Sequence, residues 1–372
     1  MSIRRILVAF GTRPEAVKLA PLILGFRTHP DRFEVKLCVT AQHRDMLDQV
    51  LEFFDLVPDY DLNVMKVNQS LFDVHSECMK ALEGVIKEYQ PEMIVVQGDT
   101  TTAFLSALSG YYFKIPVCHI EAGLRTYDKF NPFPEEMNRR MISQIADIHF
   151  VPTKNAEQNL AEEGIISNVY IVGNTVIDAL IMGLKRLETE AASDYQQRFS
   201  GIDYNKQILL VTMHRRESFG EPLEEVCHAL KDIADTCSDV HIVYPVHANP
   251  NVRDTVFSLL KDVPNITLLN PVSYPELLWL MKQSKLILTD SGGIQEEAPT
   301  LGKPVIVLRS VTERQEGLDA GTAVLAGTDK KRIMSIVLEL LVNPGLYESM
   351  AQAENPYGDG HAVQRIMDIL SK

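Results

Sequence analysis

Two cations stand directly after the first predicted strand of the chain. Residues 10–18 read FGTRPEAVK, which places Arg13 and Lys18 in the turn and first turns of a predicted helix. A helix N-terminus offers free N–H groups and positive potential, and Arg13 adds a planar fork that suits phosphate. The stretch therefore predicts an anion site, with a capped surface helix as the alternative. It has neither GxGxxG nor a Walker pattern, which disfavours NAD and ATP.

Carboxylates follow three later segments of the same half of the chain. Asp99 follows IVVQG, Glu121 follows PVCHI, and Glu135 and Glu136 follow NPFP. Carboxylates grouped at one edge of a sheet suit acid/base chemistry, because burial and mutual repulsion raise their pKa values toward neutrality. The alternatives are that Asp99 is a helix N-cap and that Glu135 and Glu136 are first-turn residues facing a helix dipole.

The second half of the chain supplies further cations and a glycine-rich turn. The segment LLVTMHRRES ends a predicted strand with His214 and two arginines, a set that suits an anionic ligand. The strongest signal is LTDSGGIQEEAPTLGKP, where residues 291–293 would let the backbone approach a diphosphate at a helix N-terminus. Glu296 and Glu297 lie about 100° apart on that helix, so one is expected to face the ligand and bridge ribose hydroxyls. A structural turn before a polar helix is the alternative.

Short apolar runs alternate with helical patterns, which predicts a doubly wound parallel α/β architecture. The first series of predicted strands is RILVAF, EVKLCVT, EMIVVQGD, PVCHIEAG, DIHFVPT and VYIVGN. Helices are predicted over 16–26, 71–88 and 101–112. The alternation of strands and helices is interrupted over 177–206, where a helix followed by a polar stretch is predicted. A second series of predicted strands follows, namely QILLVTMHRRE, VHIVYPVH, NITLLNP, KLILTDSGG and KPVIVLRS. A short amphipathic helix is predicted over 363–370. The sequence thus predicts two Rossmann-like domains facing each other across a cleft.

Length and charge narrow the class of protein. The chain has 372 residues, enough for two domains, and a net charge of −14 that disfavours nucleic acid and anionic membranes as partners. Five scattered cysteines indicate reduced thiols in a cytoplasmic protein, with no metal site and no disulfide framework. No segment approaches the roughly 18 apolar residues of a membrane span, and the apolar run over 6–10 is too short for a secretion signal.

Taken in order, the motifs resemble the non-hydrolysing UDP-N-acetylglucosamine 2-epimerases of bacteria. The resemblance runs from Ile6 to Gly360 and rests on FGTRPEA, TAQHRDMLDQ, GDTTT, HIEAGLRT, PFPEEMNR, GNTVIDAL, HRRES, YPVHANPNVR, LTDSGGIQEEAPTLGKPV, TER and NPYGDG. It implies a glycosyltransferase-B-type fold, a homodimer, no cofactor, and interconversion of UDP-GlcNAc and UDP-ManNAc for cell-surface polysaccharide. It also implies domains at 1–172 and 173–360, with a last helix over 361–372 packed on the first domain.

The resemblance also assigns residues to roles, position by position. Catalytic or substrate positions are matched by Arg13, Lys18, Asp99, Glu121, Glu135 and His214. The UDP site is matched by Arg13, Lys18, His214, Val272, Leu277, Ser291, Gly292, Gly293, Glu297 and Arg314. Arg13 and Lys18 are expected to reach across the cleft to the diphosphate that the glycine-rich turn binds.

Some bacterial members bind a second UDP-GlcNAc beside the active site as an activator. The positions that line this second site are matched by Gln42, Gln69, Arg215, Glu217 and His247. Asp45 and Asn68, however, stand where those members carry glutamine and arginine. An arginine lost beside a diphosphate removes a bidentate contact, so the sequence departs from the pattern at this site.

The chemistry of the substrate favours one route. The hydrogen at C2 of a GlcNAc unit has no neighbouring carbonyl carbon, so its direct removal is too costly, and the chain has no nicotinamide motif. Elimination of UDP from C1 makes C2–H acidic and gives a 2-acetamidoglucal, to which UDP adds back. The sequence leaves open which carboxylate is acid and which is base. It also leaves three competing functions, namely a glycosyltransferase of the same fold, a hydrolysing epimerase and a UDP-sugar-binding regulatory protein.

Overall fold

A computed structural model of the chain describes residues 3–40, 44–64, 69–189 and 192–371, and leaves the side chains of Asp45 and Arg216 undescribed. The chain forms two compact units. Unit 1 is residues 1–179 with 358–372, and unit 2 is residues 180–357. Among the described residues, no helix is long and apolar enough to cross a membrane.

Unit 1 is built on a parallel sheet whose described strands follow the order β3-β2-β1-β4-β5-β6-β7. The central strands are apolar because both faces of a parallel sheet are covered by helices, and the last five residues of the first strand are fully buried. The strands are β1 Arg4–Phe10, β2 Phe33–Val39, β3 Tyr60–Asp61, β4 Met93–Gln97, β5 Val117–Ile120, β6 Ile148–Val151 and β7 Val169–Ile171.

The helices of unit 1 begin close to the carboxyl ends of these strands, as βαβ connections require. They are α1 Arg13–Arg27, α2 Arg44–Phe53, α3 Leu71–Tyr89, α4 Thr101–Phe113, α5 Glu135–Ile145 and α6 Lys154–Glu162, together with the start of α7 Thr175–Leu187. The last helix of the chain also belongs to unit 1. It covers Ala362–Leu370, and a Cβ built on Gly25 of α1 would lie 2.7 Å from its Met367 Sδ, so a side chain at position 25 would displace Met367.

Unit 2 repeats the same winding with the strand order β10-β9-β8-β11-β12-β13. Its strands are β8 Gln207–Thr212, β9 Val240–Pro245, β10 Ile266–Leu269, β11 Leu286–Thr289, β12 Val305–Val307 and β13 Ala323–Leu325. Its helices are α8 Ala192–Arg198, α9 Glu221–Thr236, α10 Pro250–Leu260, α11 Tyr274–Gln283, α12 Gly292–Glu297, α13 Gln315–Asp319, α14 Lys330–Val342 and α15 Pro344–Ala351, and the last helix of the chain is accordingly α16. The prediction of two doubly wound parallel units is confirmed.

The strands β3 and β13 and the helix α8 were not among the predicted elements. The strand β3 has two residues, too few to show a periodic pattern, and no strand was predicted over the three residues of β13. Helix α8 lies in the stretch predicted to be a polar connection. Its buried residue is Tyr195, whose ring stacks on Trp279 of α11 at a centroid distance of 5.2 Å. One aromatic side chain thus anchors a helix that is otherwise polar.

Both sheets reverse their winding at equivalent positions in the strand order. In unit 1 the reversal lies between β1 and β4, and in unit 2 between β8 and β11. At such a switch point the connections leave on opposite faces of the sheet and open a crevice beyond the strand ends. Each unit therefore has a crevice beyond its switch point.

Candidate active site

In unit 1 the two loops beyond the switch point are joined by the buried carboxylate of Glu15. Its Oε2 accepts hydrogen bonds from Gly11 N at 3.0 Å, Thr12 N at 2.8 Å and Thr12 Oγ1 at 2.8 Å. Its Oε1 accepts from Thr100 Oγ1 at 2.6 Å. Burial raises the pKa of Glu15 to about 7, although these hydrogen bonds oppose the shift. The loop after β1 is therefore tied to the loop after β4.

Asp99 lies next to this tie and is held by α5. Its carboxylate contacts the guanidinium of Arg139, and its backbone carbonyl accepts from Asn138 Nδ2 at 3.0 Å. The N-cap of α4 is Thr100, whose side chain accepts from Ala103 N at 3.0 Å. The interpretation of Asp99 as an N-cap is therefore wrong, and its carboxylate is half-buried beside an arginine. Its role in proton transfer stays a prediction.

Glu121 is the most tightly held of the predicted carboxylates. It follows β5 with a backbone φ of 62°, in the left-handed region that few non-glycine residues adopt. Its buried side chain contacts the ammonium of Lys18 and the amide of Gln97, and it accepts from Asn174 Nδ2 at 3.0 Å. Lys18 was predicted to meet a diphosphate, but in the structure its ammonium pairs with Glu121. Its contact with a phosphate stays a prediction.

The two glutamates at the start of α5 have different surroundings. Glu136 is buried and accepts from the backbone N–H groups of Thr126 at 3.1 Å and Tyr127 at 3.2 Å. It also lies 3.5 Å from Arg139. Glu136 therefore holds the preceding loop, while Glu135 is half-buried as the first residue of the helix. This difference supports Glu135, which the family resemblance selects over Glu136, as the candidate for catalysis.

In unit 2 the crevice is spanned by Asp290, a fully buried carboxylate beyond β11. It accepts from the backbone N–H groups of His214 and Arg215, beyond β8, both at 2.9 Å. Its Oδ1 lies 3.0 Å from His214 Nδ1. Burial raises the pKa of Asp290, but the contact with His214 and the two N–H groups more than offset this, so the pKa lies below its ordinary value. The His214 side chain is 44% exposed, so its outer edge is open to a ligand.

The glycine-rich turn next to Asp290 packs against an ion pair. Arg314 donates from Nε and Nη2 to Glu296 Oε1 at 2.9 and 2.8 Å, and Glu296 is buried. A Cβ built on Gly292 would lie 3.0 Å from Arg314 Cζ and 3.2 Å from two guanidinium nitrogens. A Cβ on Gly293 would meet only Ser291 Oγ, at 4.0 Å. A side chain at position 292 would therefore displace the guanidinium of Arg314, whereas Gly293 has room for a side chain.

We expect Gly292→Ala to lower the free energy of unfolding by about 1–3 kcal/mol, because the added methyl group displaces Arg314 from the buried Glu296. Gly293→Ala is the matched control, and it should change stability by no more than about 1 kcal/mol, toward stabilisation, because alanine favours helix. Chemical denaturation of both variants measures the difference. Equal free energies of unfolding would contradict the packing role assigned to Gly292.

The remaining predicted UDP residues lie on α11 and α12 or beside them. Glu297 is buried and accepts from Tyr274 Oη at 2.9 Å, so both glutamates of the IQEE segment have protein partners. Val272, before α11, and Leu277, on α11, are half-buried. Their assignment to a uracil pocket stays a prediction.

The residues predicted for a second nucleotide site are divided between the units. Gln69, in unit 1, donates to Val64 O at 2.9 Å, and Glu217, in unit 2, accepts from Arg309 Nε at 2.7 Å. The His247 ring lies 6.1 Å from the His214 ring, and Arg215 donates from Nε to the carbonyl of Asp290 at 3.2 Å. Gln42 and Asn68 lie outside the described residues, as does the side chain of Asp45. The second site stays a prediction.

Five residues that hold the predicted site residues in place were missed by sequence reasoning or left without a role there. They are Glu15, Gln97, Asn174, Asp290 and Glu296. Each is polar and buried, and Gln97, Asn174 and Asp290 stand at a strand end or within three positions after one. A signal was present for Asp290, which ends the apolar run LILTD, since a carboxylate rarely enters a core without a partner.

Comparison with known proteins assigns the chain to a family. A sequence model of the family described as UDP-N-acetylglucosamine 2-epimerase matches residues 26–371. The chain is 50% identical to the UDP-N-acetylglucosamine 2-epimerase of Escherichia coli K12, over 98% of both chains. It resembles the crystal structure of UDP-GlcNAc 2-epimerase from Neisseria meningitidis bound to UDP-GlcNAc, with a TM-score of 0.93 and 45% identity over 98% of this chain and 99% of that one.

A second solved structure agrees. The co-structure of S. aureus MnaA with UDP has a TM-score of 0.88 and 44% identity, over 98% of this chain and 95% of that one. These matches confirm the prediction of a glycosyltransferase-B-type α/β fold. With the relatives covering nearly all of the chain, the resemblance read from the motifs is confirmed, and the chain belongs to the UDP-N-acetylglucosamine 2-epimerase family.

Proposed function

We propose that the protein interconverts UDP-GlcNAc and UDP-ManNAc without hydrolysis, by elimination and re-addition of UDP. Membership of the epimerase family supports the reaction class. The observation that carries the proposal is the state of Glu121, a buried carboxylate at the end of β5 that is paired with Lys18. A charged carboxylate in that position suits proton transfer at carbon more than a site for binding alone.

The elimination needs a place for negative charge on the leaving group. As UDP departs from C1, charge develops on its β-phosphate, and cations placed in advance stabilise it. Arg13 in unit 1 and His214 and Arg314 in unit 2 are the residues proposed for this task. His214 is held by Asp290 and Arg314 by Glu296, so both donors are fixed before ligand binds. The relative from Neisseria meningitidis, whose structure contains UDP-GlcNAc, supports the choice of ligand.

We assign removal of the C2 proton and reprotonation of C2 to the carboxylates of unit 1. Removal of the C2 proton leaves a 2-acetamidoglucal, and protonation of C2 on the opposite face followed by re-addition of UDP gives the epimer. Asp99, Glu121 and Glu135 are proposed to divide proton transfer and sugar positioning among them. Ser291, Gly292, Gly293 and Glu297, with Val272 and Leu277, are proposed to bind the UDP moiety.

Proton NMR of UDP-GlcNAc incubated with the protein in D2O tests the function. Epimerisation gives UDP-ManNAc that carries deuterium at C2 and requires no acceptor. Release of free ManNAc would instead show a hydrolysing epimerase. An unchanged spectrum, with or without sugar acceptors, would leave only a UDP-sugar-binding protein, and turnover that appears only with an acceptor would show a glycosyltransferase.

We further propose that the enzyme works as a homodimer in the cytoplasm, where its product feeds the synthesis of cell-surface polysaccharide. Support for the compartment comes from the five cysteines, all of which are free, as is usual in a reducing environment. Sedimentation velocity would measure the assembly state.

Activation by a second UDP-GlcNAc is proposed for the site that contains Arg215, Glu217 and His247. A lag in turnover of UDP-ManNAc that added UDP-GlcNAc removes would support it.

A further inference from the structure

Glu121 receives three donors from three different elements of unit 1. Lys18 comes from α1 and Gln97 ends β4, while Asn174 directly precedes α7. The lysine and the asparagine meet Oε1, whereas the glutamine meets Oε2. Both oxygens are therefore engaged, and the carboxylate plane is fixed from two sides. Gln97 and Asn174 are themselves buried.

The amide of Asn174 has its direction set by the backbone. Its Oδ1 accepts from Val176 N at 3.0 Å and so caps the first turn of α7. The opposite end of the amide, Nδ2, is thereby turned toward Glu121. Since the capping oxygen cannot leave Val176 without losing a hydrogen bond, Asn174 presents a donor, and only a donor, to the carboxylate.

All three contacts favour the charged form of Glu121. An ammonium attracts a carboxylate, and amide N–H groups stabilise it when it is ionised, whereas a protonated carboxyl group would need an acceptor. We propose that Gln97 and Asn174 are positioning residues which, together with Lys18, keep Glu121 ionised and oriented, so that Glu121 is a base of the epimerisation. This inference rests on the proposed function.

An oxygen of Glu121 takes the proton from C2, and the C2–H electron pair forms the C1=C2 double bond. The C1–O bond breaks, and its electrons leave with UDP. In the reverse of this elimination, the protonated Glu121 returns the proton to the face of C2 from which it was taken, while UDP adds back to C1. A residue that starts ionised can perform the first of these steps at neutral pH.

The variant Asn174→Asp isolates the donor. Aspartate is as good an N-cap as asparagine, so the bond from Val176 N and the start of α7 are kept, while the N–H donor is replaced by a second carboxylate. Like charges disfavour ionisation, so the pKa of Glu121 rises and the acidic limb of the kcat profile moves to higher pH. At neutral pH kcat should fall at least about tenfold, with the Kd for UDP within about twofold of the wild-type value.

The matched control is Asn343→Asp, the same substitution at the N-cap of α15, where the side chain accepts from Leu346 N at 3.1 Å in unit 2. Its pH profile should match that of the wild type. Gln97→Glu, which adds a carboxylate at Oε2, should move the acidic limb in the same direction as Asn174→Asp. It serves as the second variant if Asn174→Asp fails to fold, which thermal unfolding would reveal.

Failure of this inference and failure of the proposed function give different experimental results. A wild-type protein that incorporates no deuterium at C2 of UDP-GlcNAc defeats the proposed function. A wild-type protein that does so, with folded Asn174→Asp and Gln97→Glu variants whose pH profiles match that of Asn343→Asp, defeats the inference alone. An acidic limb that moves upward in both site variants supports it.

Discussion

The Glu121→Gln variant is expected to lose about 10²–10⁴-fold in kcat for the conversion of UDP-GlcNAc, the range for removal of a positioned acid or base. Glutamine keeps the shape of the side chain and one acceptor oxygen for Lys18, but it cannot take a proton from C2. The quantity to measure is the rate at which deuterium from D2O enters C2. The Kd for UDP, measured by calorimetry, should change little, because Glu121 is not among the residues proposed to bind the UDP moiety.

Glu163→Gln is the control for loss of a paired carboxylate in unit 1. Glu163 accepts from the buried Arg125 at 2.8 Å but is not among the residues proposed for catalysis. Its variant should keep kcat within about threefold of the wild-type value, although it removes a comparable charge. If Glu121→Gln kept near-normal turnover, Glu121 would not be an acid or base of the reaction.

The Asp290→Asn variant is expected to lower kcat by about 100-fold, the lower end of the effect of removing one donor to a developing anion. Asp290 orients His214 through Nδ1 and also binds the backbone N–H groups of His214 and Arg215. The neutral amide loses the carboxylate charge beside Nδ1 of His214, and its NH₂ group would face one of these donors. Steady-state kinetics and calorimetry of UDP binding measure the two consequences.

Asp239→Asn controls for the substitution itself, since Asp239 accepts from Gln207 Nε2 at 2.7 Å elsewhere in unit 2. The pH dependence of stability adds a second test of Asp290. Its folded pKa lies below the ordinary value of 3.8, so the stability that it contributes is present above about pH 4 and is lost as pH falls through the folded value. The wild type should therefore exceed Asp290→Asn in stability at pH 7, with the gap narrowing in acid. Equal activity and an unchanged gap would show that Asp290 does not orient His214.

The sequence predicts the repeated strand–helix units and the polar residues that follow long apolar strands. The strands around β1 and β8 were predicted because they are buried on both faces, and Asp99, Glu121 and His214 were found because they follow such runs. The pairing of Lys18 with Glu121 could not be predicted, because it joins residues 103 positions apart in the chain. The two-residue strand β3 left no pattern to read.

A different limit applies to the residues that hold others in place. Asn174 is the second residue of the motif GNTVIDAL, and the sequence shows only an asparagine before a helix, which capping explains in full. That its other end meets Glu121 depends on how β5 and α7 pack in three dimensions. For Glu15, a place as an acidic residue in the first turn of α1 is likewise a complete local explanation. The sequence therefore gives no sign of its hydrogen bond with Thr100.

The carboxylates that tie the loops together have a consequence for the entropy of binding. Loops that bind ligands are commonly among the least stable parts of a protein, and ordering them reduces affinity. Here the backbone amides of Gly11 and Thr12 are already bonded to Glu15, and those of His214 and Arg215 to Asp290. Nucleotide binding therefore has little backbone freedom to remove at these two turns. Under the proposed function, the free energy of their contacts with the ligand remains available for affinity and for stabilising the departing diphosphate.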